Sequence, residues 1–148
     1  MSVFDVAKYI LEKKGRMSTW KLQKLVYYSE AWSLVWDEKS LFDDDFEAWA
    51  NGPVVRALFN AHKGRLFIEA SDLKRGDAAT LDPDARETID AVARDYGDYS
   101  GRELSEIAHS ERPWKDARGD LSAGEPSSSV IDRDIMMDYY TGLLQGGQ

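Results

Sequence analysis

Few residues in this chain could carry covalent or metal chemistry. There are two histidines, His62 and His109, 47 positions apart, and no cysteine. Neither histidine sits in an HExxH or other paired-ligand spacing, and without cysteine a thiolate zinc site or a disulfide framework cannot form. His109 opens the run HSERPW, which places Ser110 and Glu111 beside a potential base. Consecutive helical side chains point about 100° apart, so neighbours in sequence rarely make a nucleophile–base hydrogen bond, and no GxSxG elbow presents the serine. A hydrolase or metal enzyme built on His109 and nearby carboxylates is therefore the weaker reading. The acidic run Asp43, Asp44 and Asp45 lacks the alternating ligands, central glycine and closing glutamate of a calcium loop, and no glycine-rich phosphate loop occurs. No catalytic residue, metal ligand or cofactor is expected.

Binding is better represented. Five tryptophans and seven tyrosines are many for 148 residues, and both types serve cores and interface hot spots. Trp20 and Trp32 fall inside a strongly apolar stretch and are read as core. Trp36, Trp49 and Trp114 fall at element ends or beside turns, where a ring can stay partly open to a partner. The net charge is −8, with 12 basic and 12 acidic residues in 1–80 but 7 basic and 15 acidic in 81–148. That distribution supplies no cationic footprint for nucleic acid. Asp95, Asp98, Glu106 and Glu111 are instead read as steering a basic protein surface. The N-terminal residues are apolar at helical spacing, broken by Asp5, Lys8 and Glu12, unlike a signal peptide, and no run reaches the roughly 18 apolar residues of a membrane span. A cytoplasmic protein, with no nucleic-acid or membrane partner, is expected.

These residues need a scaffold, and 18–36, STWKLQKLVYYSEAWSLVW, is its centre. Leu22, Leu25, Val26, Trp32 and Trp36 share one side of a helical wheel and Trp20, Tyr27, Ala31 and Leu34 the other, so other elements must surround this helix. Ahead of it, Ser2 with Asp5 begins a capped amphipathic helix ending at Gly15. Alternation in 46–50 suggests a short strand, and 66–70 a second one pairing with it. Gly52-Pro53 is read as a turn opening a helix that carries Val55, Leu58 and Phe59. Asp82-Pro83 opens another, and Ser100 with Glu103 caps a third. The fold class expected is mainly α, one compact helical domain around a central buried helix with one small two-stranded β element. Residues 1–117 form the core, 118–130 (RGDLSAGEPSSS, then Val130) a flexible loop, and 131–145 a last helix docking back.

Three motifs in order, KLQKLVYYSEAW (21–32), LFDDDFEAWANGPVV (41–55) and ELSEIAHSERPWKDA (103–117), resemble the Panacea antitoxin domain, the SocA-like family. The resemblance covers most of the chain. It implies a mostly helical, non-enzymatic antitoxin that neutralises a cognate toxin encoded nearby by direct protein binding. Toxins paired with this family are diverse, and one member acts instead as an adaptor that hands its toxin to the ClpXP protease. ClpXP is thus a second partner the resemblance implies, and a phage-associated accessory role a further alternative.

Overall fold

The computed structural model describes residues 1–146. Helix α2 (Thr19–Trp36) begins where the Ser18 hydroxyl accepts the Lys21 N–H, and every residue from Leu22 to Leu34 is buried. A helix apolar on nearly all sides gains burial free energy only when enclosed, at about 25 cal/mol per Å² of apolar surface. Four helices enclose it: α1 (Val3–Lys14), α4 (Pro83–Tyr96), α5 (Gly101–His109) and α7 (Arg133–Leu144). The protein is mainly α, as the periodicity predicts. Ser2 and Asp5 form the expected capping box on α1, Ser100 and Glu103 that of α5, and the Asp82 carboxylate accepts the Ala85 N–H ahead of Pro83 on α4.

The strands pair differently from the expectation. Strand β2 (Glu47–Trp49) pairs antiparallel with β3 (Gly52–Val54) across the Ala50-Asn51 turn, and β4 (Phe67–Ile68) pairs with β1 (Met17–Ser18). The 46–50 and 66–70 segments therefore never meet. The local hairpin wins because a two-residue connection closes at little entropic cost. Pro53 lies in β3, opposite Ala48, and α3 (Arg56–His62) starts only after Val55. Pro53 has no N–H to give there. Ala48 directs its own N–H outward, to the Ser129 carbonyl at 2.8 Å, so the missing donor costs nothing.

Beyond α5 a further short helix, α6 (Arg112–Arg118), carries Pro113 and Trp114. Arg118 at its end is buried and donates to the carbonyls of Ala48 (2.8 Å) and Ser122 (2.8 Å) and to that of Glu125. One guanidinium thus clasps the start of the 118–130 segment to β2. Helix α7 is held across α2 by Glu30, which is fully buried and accepts from Arg133 Nε at 2.7 Å, Leu41 N at 2.6 Å and the Ser40 hydroxyl. Arg133 also donates to the carbonyls of Phe42 (3.2 Å) and Asp44 (2.7 Å). The desolvated pair is repaid only by such complete hydrogen bonding, and its geometry sets where α7 lies.

Candidate functional site

The C-terminal ends of α2, α4 and α7 converge with α5 on a groove of about 550 Å³. Trp32 and Trp36 come from α2, four residues apart and so on one face, with rings stacked at 5.0 Å. Tyr96 comes from α4, its hydroxyl taking the Trp32 indole N–H at 3.1 Å and its ring stacked on Tyr28 at 4.3 Å. Tyr99 follows α4, and Leu143 and Leu144 close the side formed by α7. Three of these side chains are unusually open for their type: Trp36 is 42% exposed, Tyr99 40% and Leu144 56%. Large apolar groups gathered in one concavity mark an interaction surface more than scattered ones do.

The charges in the groove are carboxylates. Asp95 and Glu111 line it, and no lysine or arginine does. Asp95 is exposed and pairs with neighbouring Arg94 at 3.1 Å, a contact worth little in solvent. Glu111 is different. Although expected on the surface, it is only 5% exposed: α5 ends at His109, and Glu111, the residue that precedes α6, points from the α5–α6 junction toward Tyr28 and Tyr140. Its Oε1 accepts both the Tyr28 hydroxyl and the Tyr140 hydroxyl at 2.7 Å, with the Tyr27 hydroxyl 3.1 Å from that of Tyr140. Burial pushes the Glu111 carboxyl above its usual range, although both tyrosine hydrogen bonds pull the other way. Burial likewise raises Tyr28 and Tyr140 well above the ordinary phenol.

The other residues singled out from the sequence lie elsewhere. Asp98 and Glu106 are exposed outside the groove, Glu106 pairing with Arg102 at 3.6 Å. Trp49 is half-buried in the hairpin, with Phe59 edge-on at 4.9 Å and the Arg56 guanidinium over its ring at 5.2 Å. It lines a separate hollow of about 490 Å³ with Asn51, Arg56 and Ser127. Trp114, expected to stay partly open, is 6% exposed and donates its indole N–H to the Trp49 carbonyl at 2.9 Å. That bond ties α6 to the hairpin, and the ring stacks on His109 at 4.1 Å, which ties α6 to α5.

HSERPW does not assemble a nucleophile and base. The Ser110 hydroxyl donates to the Ile107 carbonyl at 2.6 Å, Glu111 is engaged by tyrosines, and His109 lies against Trp114. Among the described residues no three histidine, aspartate or glutamate side chains gather to hold a metal ion. No described helix is long and apolar enough to cross a membrane.

Sequence reasoning misses the polar residues inside α2. Gln23 clasps Val55 from both sides, accepting its N–H at 3.0 Å and donating to its carbonyl at 3.3 Å, with His62 Nε2 3.0 Å away. Lys24 is fully buried, its ammonium 5.0 Å from the Trp20 ring and without a hydrogen-bond partner among the described residues. Burial pushes it down to about 7. A polar letter within the apolar wheel of 18–36 is the signal that points to both.

The described residues thus form a mainly helical domain whose groove is lined by aromatic side chains and by the carboxylates Asp95 and Glu111. The model of the SocA-like antitoxin Panacea domain matches residues 22–115, and the chain belongs to that family. Antitoxin SocA of Caulobacter vibrioides (strain NA1000 / CB15N) is 29% identical to it over 140 residues, covering 84% of this chain and 72% of the relative. No solved structure matches. The matched span carries α2, α4, α5 and most of α6, whereas the α7 wall of the groove lies beyond it.

Proposed function

We propose that this protein is an antitoxin that neutralises a toxin encoded beside it by direct contact, without catalysis, and that the groove between α2, α4, α5 and α7 is the contact surface. The observation that carries the reading is the gathering of Trp36, Tyr99 and Leu144 in one concavity whose charges are Asp95 and Glu111. Family membership supports the antitoxin role, and the separated side chains of His109, Ser110 and Glu111 support a role by binding. An exposed aromatic anchor mainly slows dissociation, while unbalanced carboxylates mainly speed encounter with a basic partner.

The test is coexpression with the product of the adjacent gene, followed by calorimetry on the purified pair. Growth arrest should be relieved by the wild-type protein, and Trp36→Ala should weaken binding by about 2 kcal/mol, near thirtyfold. Constant toxin levels during rescue mean masking. A fall in toxin that requires ClpXP would replace masking by delivery to the protease. Rescue by a protein that does not bind the toxin would overturn direct neutralisation.

A further inference from the structure

We propose that Glu111 is a receptor for one arginine side chain of the bound toxin, inserted into the aromatic groove from an apolar segment. The inference rests on the groove being the toxin-binding surface and specifies what enters it.

Glu111 is one-twentieth exposed and lines the groove. Both tyrosine hydroxyls converge on Oε1, and no described residue donates to Oε2. Oε2 is not fully enclosed, and Glu111 lines the groove, so this oxygen is open to a donor from a partner while Oε1 is held by the two tyrosines. A buried carboxylate with an idle oxygen and no cation beside it is poorly compensated, and burial indeed disfavours its charged form. A guanidinium offers what is missing: a delocalised cation, weakly hydrated, whose planar N–H fork suits a carboxylate. The walls suit it too. Trp32, Trp36 and Tyr96 line the groove with aromatic rings, whose faces attract a planar cation, while Leu143, Leu144 and Val92 accommodate apolar neighbours of the arginine in the partner segment. Asp95 at the rim adds attraction during approach, in line with the acidic balance of 81–148. A lysine ammonium would keep the charge but lose the fork, and a neutral side chain would lose both.

The probe is the blocked peptide Ac-Leu-Arg-Leu-NH2 against its citrulline counterpart, titrated into the full protein and read at the indole N–H signals of Trp32 and Trp36 by NMR. The arginine peptide should shift both signals in a saturable way, and the citrulline peptide should bind about tenfold or more weakly, the size expected for a charge-assisted hydrogen bond. Glu111→Gln, which keeps an acceptor for the two tyrosines, should remove that preference. Should Glu111→Gln fail to fold, Trp36→Ala, an exposed position, should weaken the arginine peptide in the wild-type background. Equal binding of the two peptides would overturn the proposal, as would tetramethylammonium binding more tightly than the arginine peptide, which would make the groove a small-cation cage. The same Glu111→Gln change, tested on the adjacent-gene toxin, separates the two ideas. Toxin binding that is intact and indifferent to the change defeats the receptor and leaves the antitoxin reading standing. A selective arginine peptide with no toxin binding at all defeats the antitoxin reading, and leaves Glu111 as an arginine site for some other protein.

Discussion

Gly52→Val is expected to lower stability by about 3–5 kcal/mol while leaving the groove between α2, α4, α5 and α7 intact in any folded fraction. Gly52 has φ +119, a left-handed backbone angle that a β-branched residue adopts only with strain of about 1–3 kcal/mol. A Cβ built at this position would also meet Lys24 Cε well inside contact distance. The lysine stem is flexible, but the side chain is fully buried, so moving it disturbs packed neighbours and crowding adds about 1–3 kcal/mol. Urea unfolding of the variant measures the sum. In a Lys24→Ala background the crowding disappears and the strain remains, so the same substitution should cost about 1–3 kcal/mol there. A loss below about 1 kcal/mol in the native background would show that the turn relaxes freely. A variant that keeps its stability but loses the toxin would make the hairpin a contact site.

The same packing gives a change of opposite sign. Lys24→Met is expected to stabilise the protein by about 2–4 kcal/mol at pH 7. Burial holds the Lys24 amine near 7, against about 10.4 for a solvated lysine. Between those values the unfolded chain holds a proton that the folded chain does not, so the wild type loses about 1.4 kcal/mol per unit as pH falls from about 10.4 to 7 and no more below. The upper bound of near 5 kcal/mol is reduced by the attraction of the ammonium to the Trp20 ring, 5.0 Å away, which methionine forgoes. Melting of both proteins across pH 6–11 is the check, taken as a difference so that the tyrosines cancel. The stability gap should widen as pH falls through that interval and then level off. A gap independent of pH, or a destabilised variant, would mean that Lys24 is compensated in the folded protein.

These two residues also mark where sequence reasoning stops. The apolar wheel of 18–36 declares a central helix because hydrophobic periodicity is local information, and the caps at Ser2, Asp82 and Ser100 are legible for the same reason. Lys24, Gln23 and Glu30 look like the polar relief of that helix, yet all three are buried. Each meets distant chain: Val55 for Gln23, Arg133 for Glu30 and the Gly52 backbone for Lys24, whose amine also faces the Trp20 ring one turn earlier on the same helix. Such partners lie 32 and 103 positions away for the first two, beyond any window of periodicity. GPVV misleads through a local rule, since Gly-Pro before an apolar run suits a helix start, while the adjacent strand offers a tighter pairing.

The candidate site was legible in part. Residue type and element ends point to Trp36, Asp95 and Glu111 in separate stretches, and the fold brings them to one groove. Trp32, read as core, contributes its ring to the same place, and Tyr99 and Leu144 carry no local signal at all because only the convergence of α4 and α7 makes them neighbours. Trp114 and Trp49 show the limit of reading exposure from element ends. Both lie beside turns, but a hydrogen bond between the Trp114 indole and the Trp49 carbonyl ties them to each other. Asp98 and Glu106 contribute charge to the surface without facing the groove, so their neutralisation should act on association rate through the overall field alone.

If the groove is the contact surface, the toxin covers it and leaves the hairpin free. Amide hydrogen exchange of the protein, free and saturated with the adjacent-gene toxin, reads this without altering a residue. Slowed exchange should appear in segments 92–99 and 140–144 and at the end of α2, where the groove walls lie, with the hairpin at 47–54 unchanged. Protection confined to the hairpin and the 118–130 segment, with the groove exchanging as in the free protein, would contradict it.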